Sequence, residues 1–138
     1  NDGMGDYVAN QTIKCMNKKG IMVKDANILI LGITFKENCP DVRNTKVVDI
    51  YQTLLEYSNN IKVYDPWANP EIVKKHYNIH IQQDLTQVED TKYDAVILAV
   101  SHKEFLNMDI RSLLKNKETG VVYDVKGVLP TDIIDARL

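Results

Sequence analysis

The sequence has little net charge, few cysteines and no long apolar run, and each of these shortages argues against a class of protein. The formal net charge of −2 over 138 residues gives no overall field that would attract nucleic acid or an anionic membrane. Cys15 and Cys39 lack the spacing of metal ligands, which indicates reduced thiols and a cytoplasmic location. No apolar run has the length of a membrane span, so we expect no membrane partner.

Two continuous apolar runs, residues 26–33 and 93–100, stand out from a sequence that is 44% hydrophobic. Such runs are typical of strands that are buried on both faces of a sheet. Shorter apolar segments alternate with helical patterns and are expected to be strands as well: residues 61–65, 79–81 and 120–125. The alternation predicts an α/β, Rossmann-like three-layer parallel sheet with strand order 3-2-1-4-5, preceded by an N-terminal helix.

The helices carry ordinary start and stop signals. Asn69 can cap a helix that has Pro70 at its first position. The pattern of residues 102–116 predicts one broken helix or two short helices, and His102 is expected to cap the start of this segment. Residues 126–138 show no period and are expected to form a terminal loop and tail.

Glycine is missing where a dinucleotide-binding strand–loop–helix unit needs it. The loop after the first strand has Gly32 alone, followed by Phe35 and Lys36, so the backbone cannot approach a pyrophosphate closely. The loop can still bind an anion through side chains, because Lys36 offers a point charge and Arg43 a planar fork. Asp41 could orient Arg43, and Phe35 offers a flat apolar face for a base or a sugar ring.

Structural interpretations of the same residues stand beside the functional ones. A loop lysine such as Lys36 is often only solvated, and an Asp41–Arg43 pair can simply tie the loop down. Lys126 ends the last strand and gains interest because it should lie on the same sheet edge as Lys36. Asp65 is expected to stabilise the turn at Pro66.

No metal or nucleophile site is expected from the histidines. His76, His80 and His102 form neither a metal-ligand pair nor a triad with a serine and an acid. We therefore predict neither a metal site nor a histidine-activated nucleophile in this chain.

Four segments together resemble one family. They are "GITFKENCPDVRNTKVVDI", "VYDPWA", "DAVILAVSHKEF" and "YDVKGVL", and they cover nearly the whole chain. They are similar to the C-terminal, UDP-binding domain of the UDP-glucose/GDP-mannose dehydrogenase family. The first two segments look most like members that oxidise UDP-N-acetylhexosamines for surface polysaccharide.

The resemblance implies a role for each loop residue. Phe35, Lys36 and Lys126 would contact a UDP-sugar, although many members have arginine at the position of Lys126. Arg43 would reach toward NAD and Asp41 would support it, while an N-terminal domain would hold most of the NAD and all catalytic residues. The implied reaction is oxidation of the sugar C6 alcohol to a carboxylate by a cytoplasmic homodimer.

The resemblance also implies how the chain is divided. Residues 1–22 would be the end of an inter-domain, dimerisation helix, and residues 23–138 the UDP-sugar-binding domain. The apolar face of that helix, with Met4 and Met16 at its ends, is then expected to be frayed or buried in a dimer. The alternatives are a standalone α/β nucleotide-binding or regulatory module and a pure dimerisation domain. A receiver-like module is disfavoured because no acidic pair follows the first strand.

Overall fold

The computed structural model describes residues 3–138, and within this range six strands form one sheet. The strands are β1 (Asn27–Leu31), β2 (Asn60–Tyr64), β3 (Ile81–Gln82), β4 (Ala95–Leu98), β5 (Val121–Asp124) and β6 (Ala136–Arg137). All of them run parallel, in the order β3-β2-β1-β4-β5-β6. The predicted order of the first five strands is confirmed, and a sixth strand extends one edge.

Helices cover both faces of this sheet, as expected of parallel strands joined by crossovers. They are α1 (Met4–Lys18), α2 (Val47–Leu55), α3 (Pro70–Tyr77), α4 (Leu85–Glu89) and α5 (Lys103–Leu106), with 3-10 turns at Ile110–Leu113 and Thr131–Ile133. The Asn69 side chain caps α3 by accepting hydrogen bonds from the backbone of Glu71 and Ile72, as predicted. The third strand lies slightly later than the predicted 79–81.

The central strand β1 divides the core into two layers. Ile28 and Ile30 belong to the cluster that also holds α1, α2 and α3 residues. Leu29 and Leu31 belong to the opposite cluster, beneath α4 and α5. Side chains alternate between the two faces of a strand, so both faces of β1 are apolar because both are covered. This burial explains the continuous apolar run that marks β1 in the sequence.

Helix α1 packs within this chain, and the expectation of a frayed or dimer-buried apolar face is wrong. Val8 and Met16 are fully buried, and they share a core cluster with Ile50 and Leu54 of α2. The cause is non-local, since α2 offers its own apolar stripe to α1. The division of the chain at residues 22 and 23 stays a prediction.

The C-terminal residues form a strand, so the prediction of a terminal loop and tail is wrong. Strand β6 pairs with β5 through Tyr123–Ala136 and Asp124–Arg137. Asp135 stabilises the position of β6. Its carboxylate accepts hydrogen bonds from Lys19, from Arg111 at 3.0 Å and from the Val122 backbone at 2.8 Å. A strand of two residues has no detectable period, which explains the failure.

Removing the Asp135 carboxylate is expected to destabilise the fold in a pH-dependent way. Burial raises the pKa of Asp135, but hydrogen bonds from Lys19, Val122 and Arg111 outweigh it, so the pKa is lowered. We expect Asp135→Ala to reduce the free energy of unfolding by about 1–3 kcal/mol at pH 7.

The pH dependence follows from the direction of that shift. A carboxyl whose pKa is lowered by folding contributes stability above its unfolded pKa and loses it as the pH falls through the folded value. The difference in thermal unfolding between wild type and Asp135→Ala should therefore shrink from pH 7 toward pH 3. Exposed Asp132, in the turn just before, is the matched control. A constant difference across this range would contradict the account.

No helix within residues 3–138 has the length and apolar character that crossing a membrane requires. A surface depression of about 490 Å³ lies beside the amino-terminal ends of the strands and is lined by residues of two connections, 23–25 and 55–59. This depression is an alternative location for a ligand.

Candidate functional site

Loops that follow three neighbouring strands meet at the carboxyl edge of the sheet. A pocket of about 240 Å³ opens there, and its lining includes Phe35 from the loop after β1 and Lys126 from the loop after β5. Ala99 and Val100, which follow β4, form part of its wall. The structure thus brings together loops that are distant in sequence, at the edge where parallel sheets bind ligands.

Gly32 sets the path of the chain as it leaves β1. Its φ angle is +95°, a conformation that L-residues with side chains rarely adopt. A Cβ atom built on Gly32 would lie 2.5 Å from the Cβ of Val100, so the space beside the glycine is already filled. The glycine permits the close packing of β1 against β4, and it leaves no cradle for a pyrophosphate.

Phe35 and Lys36 are both exposed at the carboxyl edge of the sheet. Phe35 is 60% exposed, which is unusual for a large apolar ring, and its backbone N–H donates to the Asp41 carbonyl at 2.6 Å. The Lys36 side chain is exposed, and its ammonium makes no hydrogen bond or ion pair within residues 3–138. The loop therefore presents an aromatic face and a free positive charge side by side.

Asp41 holds Arg43 in a bidentate pair. Its Oδ1 accepts from Arg43 Nε at 3.0 Å and from the Arg43 backbone at 2.9 Å, and its Oδ2 accepts from Nη2 at 2.9 Å. These bonds, led by the side-chain bond, lower the pKa of Asp41 to about 2. The Arg43 side chain is 86% exposed, so it is oriented but remains accessible. The predicted Asp41–Arg43 contact is confirmed; its purpose stays a prediction.

Lys126 has a partner that sequence reasoning missed. Its ammonium lies 3.0 Å from Glu37 Oε1, and the Ser101 hydroxyl donates to the same oxygen at 3.1 Å. The Glu37 backbone N–H, then Lys126 and Ser101, lower the pKa of Glu37 to about 2. The buried Asp124 carboxylate fixes the turn by accepting from the backbone of Lys126 and Gly127. The available signal was the opposite charge of Glu37 and Lys126 in two loops of one edge.

His102 occupies the N-cap position of α5, as predicted, but its ring makes no capping hydrogen bond. Its ring is fully buried, with Nε2 lying 3.0 Å from Asp65 Oδ2 and 3.1 Å from Thr34 Oγ1. The Asn38 backbone N–H donates to Nδ1 at 2.9 Å. The Lys103 N–H at the start of α5 instead donates to the Asn38 side chain at 2.8 Å. The ring points inward because a buried carboxylate lies beneath it.

Asp65 stabilises the turn at Pro66, as expected, and does more. Its Oδ1 accepts from the backbone of Trp67 at 2.7 Å and Ala68 at 3.0 Å. Its Oδ2 accepts from the backbone of Ile33 at 2.7 Å, so one carboxylate joins the ends of β1 and β2. Burial raises the pKa of Asp65, but hydrogen bonds from His102 and the backbone outweigh it and the net shift is downward.

The described residues do not match a metal centre or a dinucleotide cradle. Residues 3–138 hold no group of three or more histidine, cysteine or acidic side chains placed to bind an ion. The pyrophosphate of a dinucleotide needs a backbone approach that Phe35 and Lys36 obstruct and that Val100 fills at Gly32. The exposed fork of Arg43 is the feature that could reach a cofactor held elsewhere.

Solved structures share this architecture. The UDP-D-ManNAc dehydrogenase of Pyrococcus horikoshii superposes with a TM-score of 0.78 at 20% identity, over 99% of this chain and 31% of that one. An NDP-N-acetyl-D-galactosaminuronic acid dehydrogenase from Methanosarcina mazei Go1 gives 0.81 at 20% identity, over 96% of this chain and 27% of that one. These likenesses define the class of fold, a Rossmann-like α/β domain.

Sequence comparison defines the family. The profile described as "UDP-glucose/GDP-mannose dehydrogenase family, UDP binding domain" matches residues 29–131. A UDP-N-acetyl-D-glucosamine 6-dehydrogenase from Salmonella typhi is 47% identical over 100% of this chain, and one from Pseudomonas aeruginosa is 46% identical over 100%. The chain belongs to the UDP-glucose/GDP-mannose dehydrogenase family, as the resemblance implied. It spans about a third of these relatives, 32% of each.

Proposed function

We propose that this chain binds the UDP-sugar of an NAD-dependent nucleotide-sugar 6-dehydrogenase. The observation that carries the proposal is the carboxyl edge of the sheet, where exposed Phe35 and Lys36 adjoin a pocket that Lys126 also lines. A UDP-sugar has a flat base and an anionic diphosphate, and this edge offers an aromatic face and positive charge for them. The family match supports the same ligand class.

The residues at this edge would have distinct roles. Lys36, whose ammonium makes no ion pair within residues 3–138 and lies in the same loop as Asp41, would direct its charge at the diphosphate. Lys126 would contribute less, because Glu37 already neutralises part of its charge. Phe35 would stack on the base or a sugar ring.

The chemistry would take place between this chain and the domain that holds NAD. Oxidising a C6 alcohol to a carboxylate removes four electrons, which two NAD accept as two hydrides, and one water supplies the second oxygen. The hydride chemistry belongs to the cofactor. This chain's contribution is to bind the nucleotide half and so hold the sugar in place.

Among the possible UDP-sugars we favour UDP-GlcNAc or UDP-GalNAc over UDP-glucose. The support comes from the relatives that match at 47% and 46% identity, both UDP-N-acetyl-D-glucosamine 6-dehydrogenases. A polysaccharide pathway, a homodimer and a cytoplasmic location belong to the same proposal. In the full-length enzyme, kcat/KM should be higher for UDP-GlcNAc or UDP-GalNAc than for UDP-glucose, and a preference for UDP-glucose would contradict this choice.

The isolated 138-residue chain should bind UDP without any turnover. The proposed catalytic residues and most of the NAD site lie outside it, so mixing it with NAD and a UDP-sugar should produce no NADH absorbance at 340 nm. The full-length enzyme, assayed in parallel, is the positive control. Turnover by the pure chain that is abolished by Cys39→Ser would overturn this division of labour. Binding of UDP with no activity even in the full-length protein would favour the alternative, a standalone nucleotide-binding or regulatory module.

Arg43→Ala in the full-length enzyme should raise the KM for NAD and leave the KM for the UDP-sugar nearly unchanged. The reason is that Arg43 is 86% exposed and has its Asp41 partner beside it, so it can reach a group outside this chain. Loss of a charge-assisted contact costs about 1.5–3 kcal/mol, or roughly one to two decades.

The competing interpretation, that Asp41–Arg43 only ties the loop down, makes a different prediction. Arg43→Ala would then disturb both substrates together and lower the melting temperature. Arg43→Lys is the matched control, since it keeps the charge but loses the bidentate fork and should recover only part of the NAD affinity.

A further inference from the structure

His102 is buried in the core, where both ring nitrogens make polar contacts. The proposed ligand contacts at the sheet edge do not involve this ring. The ring has no exposed surface, yet both of its nitrogens have polar partners. Burying a polar ring is favourable only when such partners are present. Two of them, Asn38 and Thr34, belong to the loop that carries Phe35 and Lys36.

The contacts determine where the proton lies on the ring. The Asn38 backbone N–H is a donor, so Nδ1 must present a lone pair to it. The Thr34 hydroxyl donates to the Lys36 carbonyl, so it faces Nε2 as an acceptor. Asp65 Oδ2 is also an acceptor, which leaves Nε2 as the protonated nitrogen. The imidazole is therefore neutral and carries its hydrogen on Nε2.

Each nitrogen consequently has a different task. Nε2–H fastens the ring to Asp65, which also accepts from the backbone of Ile33 and so is fixed to the end of β1. Nδ1 fastens Asn38, two residues beyond Lys36, to that fixed ring. Asn38 has a φ angle of +54° and accepts from the Lys103 N–H at 2.8 Å, so the loop is also attached to the start of α5.

We propose that His102 is a positioning residue that latches the Phe35–Lys36 segment to the buried Asp65. The consequence for ligand affinity rests on the proposed UDP-sugar function, while the latch itself does not. Without the bond to Nδ1, Asn38 would lose one of its two attachments and keep only the bond from the Lys103 N–H. Phe35 and Lys36 would then sample several positions, and a ligand would have to order them on binding.

Two amide substitutions, each matching the position of one ring nitrogen, separate the two roles of the ring. In His102→Asn, the amide oxygen can occupy the place of Nδ1, which keeps an acceptor for Asn38 but loses the contact with Asp65. In His102→Gln, the amide nitrogen can occupy the place of Nε2, which keeps the contact with Asp65 but loses the acceptor for Asn38. If His102 were only a core residue, UDP affinity would follow the melting temperature of each variant, whichever nitrogen was replaced.

The experiment combines UDP titration by calorimetry with amide hydrogen exchange on the 138-residue chain. The latch predicts that His102→Gln weakens UDP binding roughly three- to tenfold, the effect of one lost hydrogen bond, and deprotects the Asn38 amide. His102→Asn should bind UDP within about twofold of wild type, with the Asn38 amide still protected, even if its melting temperature falls. Equal affinities for the two variants would overturn the proposal.

A measurement on the wild-type chain keeps the proposal testable if neither variant folds. Imidazole nitrogen chemical shifts should show a neutral His102 with hydrogen on Nε2, and the Asn38 amide should exchange slowly. Hydrogen on Nδ1, or rapid exchange at Asn38, would refute the latch. Failure of wild type to bind UDP would refute the proposed function instead, since these two spectroscopic results do not depend on a ligand.

Discussion

Asp65→Ala is expected to lower the free energy of unfolding by about 3–5 kcal/mol, because it leaves several buried donors without a partner and each such donor costs about 1–3 kcal/mol. The carboxylate is fully buried, so bulk water does not solvate it in the folded chain. Its removal leaves five hydrogen-bond donors without their acceptor. One is the side chain of His102, and the other four are the backbone N–H groups of Ile33, Thr34, Trp67 and Ala68. Because small domains have only about 5–15 kcal/mol of stability, the variant should lie close to the limit of folding.

Urea unfolding of wild type and variant measures this loss. Asp84→Ala is the matched control, because Asp84 also accepts a backbone hydrogen bond but lies exposed at the start of α4. A cap of that kind is worth about 0.5–2 kcal/mol. Similar losses for the two variants would mean that Asp65 is an ordinary turn residue and not the centre of a network.

Lys36→Ala is expected to reduce kcat/KM for the UDP-sugar in the full-length enzyme by roughly one to two decades. The estimate corresponds to a lost charge-assisted contact of about 1.5–3 kcal/mol, at about 1.4 kcal/mol per decade. The melting temperature should not change, because the ammonium makes no hydrogen bond or ion pair within residues 3–138. Lys126→Ala should have a smaller effect, because its charge is shared with Glu37.

Lys24→Ala is the control for Lys36→Ala, since Lys24 is also exposed but lies in the depression at the opposite end of the sheet. Both substitutions remove one positive charge, so a general electrostatic effect would appear in both. Unchanged kinetics for Lys36→Ala would show that Lys36 is merely solvated. Equal losses for Lys24→Ala and Lys36→Ala would remove the reason to locate the ligand at the carboxyl edge.

Local and periodic signals made much of the fold predictable. The apolar runs at 26–33 and 93–100 predicted β1 and β4, because strands buried on both faces need apolar side chains throughout. The polar Asn69 before Pro70 gave the start of α3 because both residues act within one helical turn. The Asp41–Arg43 contact was predictable for the same reason, as it spans two residues.

Features that depend on distant partners were not predictable. The burial of α1 requires α2, and the pairing of β6 requires β5 and the carboxylate of Asp135. The ring of His102 was predicted to cap a helix. Its actual partner, the buried Asp65, lies 37 residues earlier and gives no local signal. Glu37 was overlooked because Lys126 lies in another loop. In each case a short polar or amphipathic segment is compatible with several structures, and tertiary packing determines which one forms.

Mapping UDP onto the isotope-labelled 138-residue chain by NMR tests the central claim most directly. UDP should shift the amide resonances of the loop at 34–44, of residues 101–103 and of residues 126–128, and those of 23–25 and 55–59 should not move. The Lys36→Ala chain should need a higher UDP concentration for the same shifts. Shifts confined to residues 23–25 and 55–59, or no shifts at saturating UDP, would contradict a UDP-sugar site at the carboxyl edge of the sheet.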